Sequence, residues 1–160
     1  MSGRLLGALL VLLGGLGAAQ AVDMKALEGG DYAALRAQRQ GRPHAIVLWS
    51  VSCAPCLGEM ALWRKVLGER RDVDLVLIAT DGPEEGEAVR RLFERYAPSQ
   101  AEAWQFGVTP ARRLRYEIDP GWSGELPRAY FVEADGRVTA KSGTPEEAAL
   151  RAWVAKAGGR

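Results

Sequence analysis

Only two cysteines occur in the chain, Cys53 and Cys56, three positions apart. The apolar run Ala45-Ile46-Val47-Leu48-Trp49 ends just before them, and a helix-like segment, Leu57 to Arg70, begins just after them. This order predicts a buried strand that delivers a Cys-x-x-Cys pair to the start of a helix, the layout of a thiol–disulfide redox centre. The chemistry needs that layout. Thiolate is the reactive form of cysteine, and the unpaired N–H groups at a helix N-terminus stabilise negative charge on the first sulfur. The second cysteine lies within reach to close a disulfide, so the pair can cycle between dithiol and disulfide.

Two other uses of the pair stand beside this one. A structural staple closes a loop, but a loop this short removes little chain entropy. The chain beyond Ala21 is also long enough to bury a core without one. A zinc site needs four ligands, and one Cys-x-x-Cys supplies two. The only histidine, His44, falls at the start of the preceding strand, where a surface position is expected.

The N-terminus bears on where the pair would work. Arg4 is the only charge in Met1–Val22, Leu5 to Gly17 is an unbroken apolar and glycine run, and Ala19-Gln20-Ala21 has the small-x-small pattern of a signal peptidase site. Residues 1–21 are expected to be a secretory signal peptide cleaved after Ala21. The run is short against the roughly 20 residues that span a bilayer, which favours cleavage over an uncleaved anchor. No cysteine lies near the cleavage site to carry a lipid. The whole chain holds 21 Lys+Arg and 20 Asp+Glu, so losing Arg4 leaves the two balanced. That balance gives no electrostatic case for nucleic acid or an anionic membrane surface.

Residues 22–160 read as one domain with an N-terminal helical extension over 22–41, in which Asp31 to Gln40 is a short helix closed by Gly41. Val73 to Thr80 is a second buried strand, and Ala101 to Phe106 a short one. Val89, Leu92, Phe93, Tyr96 and Ala97 form the apolar stripe of an amphipathic helix over Glu84 to Ala97. Thr109-Pro110 is expected to open a further helix with a cap and a first-turn proline. On that helix Arg112, Arg113 and Arg115 are expected to form a solvated face. Arg128 to Glu133, the turn Ala134 to Arg137 and Val138 to Lys141 form a hairpin. Thr144-Pro145-Glu146-Glu147 reads as a capping box ahead of the last helix, which buries Leu150, Trp153, Val154 and Ala157. Trp49, Trp63, Trp104 and Trp153 are expected in the core. Early strand–helix alternation implies a parallel βαβ unit, to which the hairpin adds antiparallel strands.

Three motifs, in this order and separation, resemble the thioredoxin superfamily, and more closely its exported TlpA-like thiol–disulfide oxidoreductases. They are Leu48-Trp49-Ser50-x-x-Cys53-Ala54-Pro55-Cys56, Gly124-Glu125-Leu126-Pro127, and Tyr130-Phe131-Val132-Glu133-Ala134-Asp135-Gly136-Arg137. The resemblance runs from about Arg42 to the C-terminus. It implies an α/β thioredoxin-like three-layer sandwich in which Cys53 is the nucleophile and Cys56 the resolving thiol. It also implies that Pro127 is a cis-proline facing the disulfide, with the Leu126 backbone pairing with the substrate chain. From the residues alone, Pro127 would be an ordinary strand-start proline.

The chain departs from thioredoxins in two places. Thioredoxins carry a buried acid six residues before the first cysteine, where this chain has Val47, which cannot relay a proton. TlpA-like proteins can instead carry an acid one turn past the second cysteine, and Glu59 stands there, on the helical face of Cys56. Glu59 is thus either a proton acceptor for Cys56 or one more solvated helix charge. At Ser52 thioredoxins often have an exposed aromatic, and Trp122, in the Pro120–Leu126 loop, is the candidate to replace it. Ala54 and Pro55 are uncharged and supply no cation to the thiolate. Since strong oxidants owe their potential to a stabilised reduced form, this points toward a reductant.

The expected activity is reduction of protein disulfides in the periplasm by a monomer without metal or organic cofactor. Its partners would be disulfide-bearing proteins, with apocytochrome c or a copper-site assembly protein implied by the resemblance, and a membrane electron donor. The alternatives are a binding module with an inert disulfide and a copper-delivery protein. The second of these usually needs a third ligand near a Cys-x-x-x-Cys pair.

Overall fold

The computed structural model describes residues 22–159. The strands are β1 (Met24–Leu27), β2 (His44–Trp49), β3 (Asp74–Ala79), β4 (Glu102–Phe106), β5 (Arg128–Val132) and β6 (Val138–Ser142). The helices are α1 (Asp31–Ala37), α2 (Ala54–Leu67), α3 (Gly86–Tyr96), α4 (Ala111–Ile118) and α5 (Glu147–Gly158). One sheet joins all six strands in the order β1-β4-β3-β2-β5-β6. The β1–β4, β3–β4 and β2–β3 pairs are parallel, while β5 runs antiparallel to both β2 and β6. The sheet is therefore a parallel βαβ array extended by an antiparallel hairpin.

Side chains alternate across the strands, so the inner strands feed two cores, whereas the edge strand β6 is exposed along its length. Ala45, Val47 and Trp49 of β2 and Leu75, Leu77 and Ala79 of β3 face α2, α3 and α5, which add Met60, Trp63, Phe93, Leu150 and Val154. Ile46 and Leu48 of β2 and Val76 and Ile78 of β3 face α1 and α4, meeting Tyr32, Leu35, Leu114 and Ile118. With both faces covered, β2 is buried along its whole length, which is why it reads as an unbroken apolar run. Each large side chain so enclosed contributes about 1.5–3 kcal/mol. The parallel strands β2, β3 and β4 all end at the same edge of the sheet, and the Cys-x-x-Cys segment follows β2 there.

Several expectations need correction. The extension over 22–41 is not wholly helical, because Met24–Leu27 forms β1 at the sheet edge, paired with β4. A four-residue strand with two exposed residues has no periodicity long enough to announce it. Pro110 is the cap of α4 rather than its first residue, and the Thr109 hydroxyl donates to the Glu28 carboxylate at 2.5 Å instead of capping the helix. Helix α5 begins at Glu147 with Glu146 as its cap residue, and no side chain closes a capping box.

His44 is buried, at 2 % exposure, rather than at the surface. It is flanked by Asp74 of β3 and Val132 of β5, and its Nδ1–H donates to the Arg42 carbonyl at 2.9 Å. Burial holds its imidazole pKa below the ordinary value. Trp104 sits half-buried on β4, with its indole N–H donating to Glu102 at 2.9 Å. The proposed signal segment, 1–21, lies outside the described residues. Among the described residues no helix is long and apolar enough to cross a membrane.

Candidate active site

Helix α2 starts on the cysteine pair. Cys53 is its N-cap residue, with extended backbone, and its Sγ accepts a hydrogen bond from the Cys56 N–H at 3.2 Å. Pro55 lies in the first turn, where its missing N–H leaves no bond unmade. The two cysteines are disulfide-bonded, with their Cα atoms 5.3 Å apart. They differ in access: Cys53 is partly exposed, whereas Cys56 is 1 % exposed and packs into the core on the α2 side. An incoming disulfide can meet only the first sulfur.

One turn beyond Cys56, Glu59 is fully buried. Its Oε1 accepts from the Trp63 indole N–H at 3.3 Å, and its Oε2 has no hydrogen-bond partner. A solvated helix charge is therefore excluded. Trp63 is fixed in turn, 6.1 Å from both Phe131 and Trp153 between ring centroids. Desolvation pushes the Glu59 carboxyl up to about 7, against smaller opposing effects of the Trp63 hydrogen bond and the Lys141 charge. A carboxyl that titrates near neutrality, on the same helical face as a buried thiol, is suited to accept and return a proton. Val47 lies in the same core and carries no titratable group.

The chain returns to this end of the sheet at Leu126–Pro127, whose peptide bond is cis. Arg128 pairs with Leu48, so Pro127 precedes β5 at the level where β2 gives way to the Cys-x-x-Cys segment. Leu126 is partly buried and touches both cores. Polar bonds hold the preceding loop. Asp119 accepts from Arg128 at 2.9 Å, Tyr130 at 3.1 Å and the Gly121 N–H at 2.9 Å, while Glu125 accepts from the Ser142 hydroxyl at 2.8 Å. Trp122 does not replace the missing surface aromatic. It is 6 % exposed, packs with Leu114, Ile118 and Tyr130, and donates its indole N–H to the Glu125 carbonyl at 2.8 Å. Its indole braces the cis-proline loop from inside.

Sequence reasoning missed Asp81, just past β3. Its Oδ1 accepts from the Ser50 hydroxyl at 2.8 Å and its Oδ2 from the Val51 N–H at 3.0 Å. The Ser50 and Ser52 hydroxyls are 3.0 Å apart, and the Ser50 carbonyl accepts from the Cys53 N–H at 3.1 Å. Thr80 adds a bond from its N–H to the Trp49 carbonyl at 2.8 Å. The available signal was positional: a polar residue ending a parallel strand at the edge where α/β sites gather. Among the described residues no group of three or more His, Cys, Asp or Glu is placed to hold a metal ion.

No protein-family model matches the sequence, and no curated protein matches it. Solved structures do match in shape. One is dsbF of MTB, in mixed oxidized and reduced forms, at 20% identity and a TM-score of 0.59 over 74% of this chain and 83% of that one. A secreted Mycobacterium tuberculosis disulfide oxidoreductase homologous to E. coli DsbE matches at 20% identity and a TM-score of 0.56, over 75% of this chain and 85% of that one. A thioredoxin-related protein from Neisseria meningitidis serogroup B matches at 22% identity and a TM-score of 0.56, over 74% and 86%. Together with the sheet order and the placement of the cysteines, these likenesses establish that the chain has the thioredoxin-like fold, with a Cys-x-x-Cys pair at the head of α2.

Proposed function

We propose that this protein is a thiol–disulfide oxidoreductase that reduces disulfides in other proteins, with Cys53 attacking and Cys56 resolving. The observation that carries the reading is the asymmetry of the pair. One sulfur is accessible at a helix N-terminus, and the other is enclosed one turn in, with the buried carboxyl of Glu59 one turn further on. An inert staple requires neither the asymmetry nor a carboxyl placed where burial is costly.

In the forward reaction the Cys53 thiolate attacks one sulfur of a substrate disulfide. A mixed disulfide forms, and the first substrate thiolate leaves and takes up a proton. Cys56 then loses its proton to Glu59 and attacks the Cys53 sulfur, which releases the second substrate thiolate and forms the Cys53–Cys56 disulfide. Two electrons pass from the pair to the substrate. Ionising a buried thiol is costly, so a neighbouring base with a pKa near 7 lowers the barrier to the second step. The backbone beside cis-Pro127 offers the edge along which the substrate chain lies.

The uncharged Ala54-Pro55 between the cysteines favours the reducing direction, since no cation there stabilises the reduced form. Export follows from the signal-like segment 1–21. One structural neighbour is itself described as secreted. In an oxidising compartment the pair must be re-reduced, so a membrane dithiol donor is part of the proposal, with cytochrome c or copper-site proteins as substrates.

The test is trapping from exported extracts. Cys56→Ser keeps attack and loses resolution, so it is expected to accumulate mixed disulfides through Cys53, whereas Cys53→Ser traps none. Equilibrating the wild-type pair with a glutathione buffer reads the direction. No trapped partner in either variant, with no reduction of a model disulfide by the wild type, would overturn the reading.

A further inference from the structure

We propose that Asp81 is a positioning residue for Cys53, one that fixes the loop presenting the nucleophile and, through its charge, opposes the thiolate. The proposal rests on the reading of Cys53 as the attacking thiol. The geometry is a chain of short bonds. Both carboxylate oxygens are used, one by the Ser50 hydroxyl at 2.8 Å and one by the Val51 N–H at 3.0 Å. The Ser52 N–H donates to the Ser50 hydroxyl at 3.3 Å, and the Cys53 N–H donates to the Ser50 carbonyl at 3.1 Å. Ser50 is itself 7 % exposed, so its hydroxyl has little water to turn to if the carboxylate is removed. Every polar contact that holds residues 50–52 therefore passes through Asp81 or through the serine it anchors.

The charge is the second half of the argument. Two residues of chain span at most about 7 Å, so a carboxylate bonded to Val51 lies on the order of 10 Å from the Cys53 sulfur. At that range a unit charge near a protein surface changes an ionisation equilibrium by about threefold to tenfold. The first turn of α2 holds no acid, and Ala54 and Pro55 hold no charge. The positive end of α2 favours the thiolate, and Asp81 opposes it with an effect of similar size. Apart from Glu84 and Glu85, the other charged groups near this end have partners of their own or belong to the second cysteine. Glu125 and Arg128 are bonded within the cis-proline loop, and Glu59, with the Lys141 charge acting on it, lies beyond Cys56. Glu84 and Glu85 lie on the exposed turn after Asp81 and reinforce its sign. A less stable thiolate means a less stable reduced form, so Asp81 holds the pair toward the reducing side.

The experiment separates tether from charge, using the full mature chain as wild type, Asp81→Asn, Asp81→Ser and Ser50→Ala. The Cys53 thiolate is titrated by its ultraviolet absorbance in the Cys56→Ser background. Equilibrium with glutathione is measured with both cysteines present, at a pH above the Cys53 pKa. Asp81→Asn and Asp81→Ser are each expected to raise the thiolate fraction at a fixed pH below the pKa by about threefold to tenfold. The equilibrium constant for reduction of the pair should rise by a similar factor. Ser50→Ala keeps the charge, so it should leave the thiolate fraction within twofold of wild type while slowing attack on a model disulfide. If a folded neutral variant keeps the wild-type thiolate fraction and equilibrium, the proposal is overturned. A change in melting temperature alone also overturns it. If the wild type itself fails to exchange with the model disulfide, the oxidoreductase reading fails instead, while the titration still reports whether Asp81 acts on Cys53.

Discussion

Replacing Glu59 with Gln makes the stability of this protein respond differently to pH, and the size of the response follows from the site. In the oxidised protein neither cysteine titrates, so Glu59 is the one ionisable group of the pair's surroundings on α2. Its carboxyl is fully buried and titrates at about 7 against an ordinary value of 4.5. Below pH 4.5 the group is neutral in both folded and unfolded chains, and the Gln variant should match the wild type to within about 1 kcal/mol. As pH rises above 4.5 the unfolded chain releases the proton and the folded chain keeps it. The wild type then loses about 1.4 kcal/mol per pH unit until the folded group also ionises near 7. The total is about 3 kcal/mol, and the Gln amide loses none of it. The stability contributed by a raised carboxyl is thus complete at low pH and gone above about 7.

Urea unfolding of both oxidised proteins at steps from pH 4 to pH 8 measures the difference directly. Glu59→Gln should gain on the wild type by about 3 kcal/mol across that range, with the change concentrated between pH 4.5 and 7. The remaining carboxylates titrate alike in both proteins and cancel. Parallel curves would mean that Glu59 ionises like a solvated side chain, which would refute both its burial and its role as a proton acceptor. In the reduced protein, on the proposed mechanism, the same variant should slow release of trapped substrate by Cys56 while leaving the first attack near the wild-type rate.

Trp122→Ala should cost about 3–5 kcal/mol, since it empties a buried indole site and leaves the Glu125 carbonyl without its donor. A surface docking role would cost almost nothing in thermal or urea unfolding. Exported protein should begin at Val22, and N-terminal sequencing that recovers Met1 in membranes would replace the cleaved signal with an anchor.

The Cys53-x-x-Cys56 pair, its position between strand and helix, the βαβ order and the late hairpin were legible because each is a local pattern. Apolar run length, Gly and Pro positions and cysteine spacing are properties of neighbouring residues, and β2 is buried on both faces as its unbroken apolar run announced. The cis state of Leu126–Pro127 was legible only through resemblance, since an isolated X–Pro bond prefers trans. What the sequence left open depended on contacts between distant residues. From the sequence Glu59 reads equally as a proton acceptor or as a solvated helix charge; burial beside Trp63 removes the second reading, and the shift of its carboxyl comes chiefly from that desolvation. His44 reads as a surface residue because it begins a strand, and Trp122 as a surface aromatic because it lies in a loop, yet sheet pairing on both sides encloses the first and side-chain packing the second. Asp81 stands 28 positions from Cys53 and meets its loop only because β2 and β3 run parallel and end together. Local spacing set the chemistry of the sulfurs, whereas burial and charge around them are sums over the whole packed sheet, which no short stretch of sequence contains.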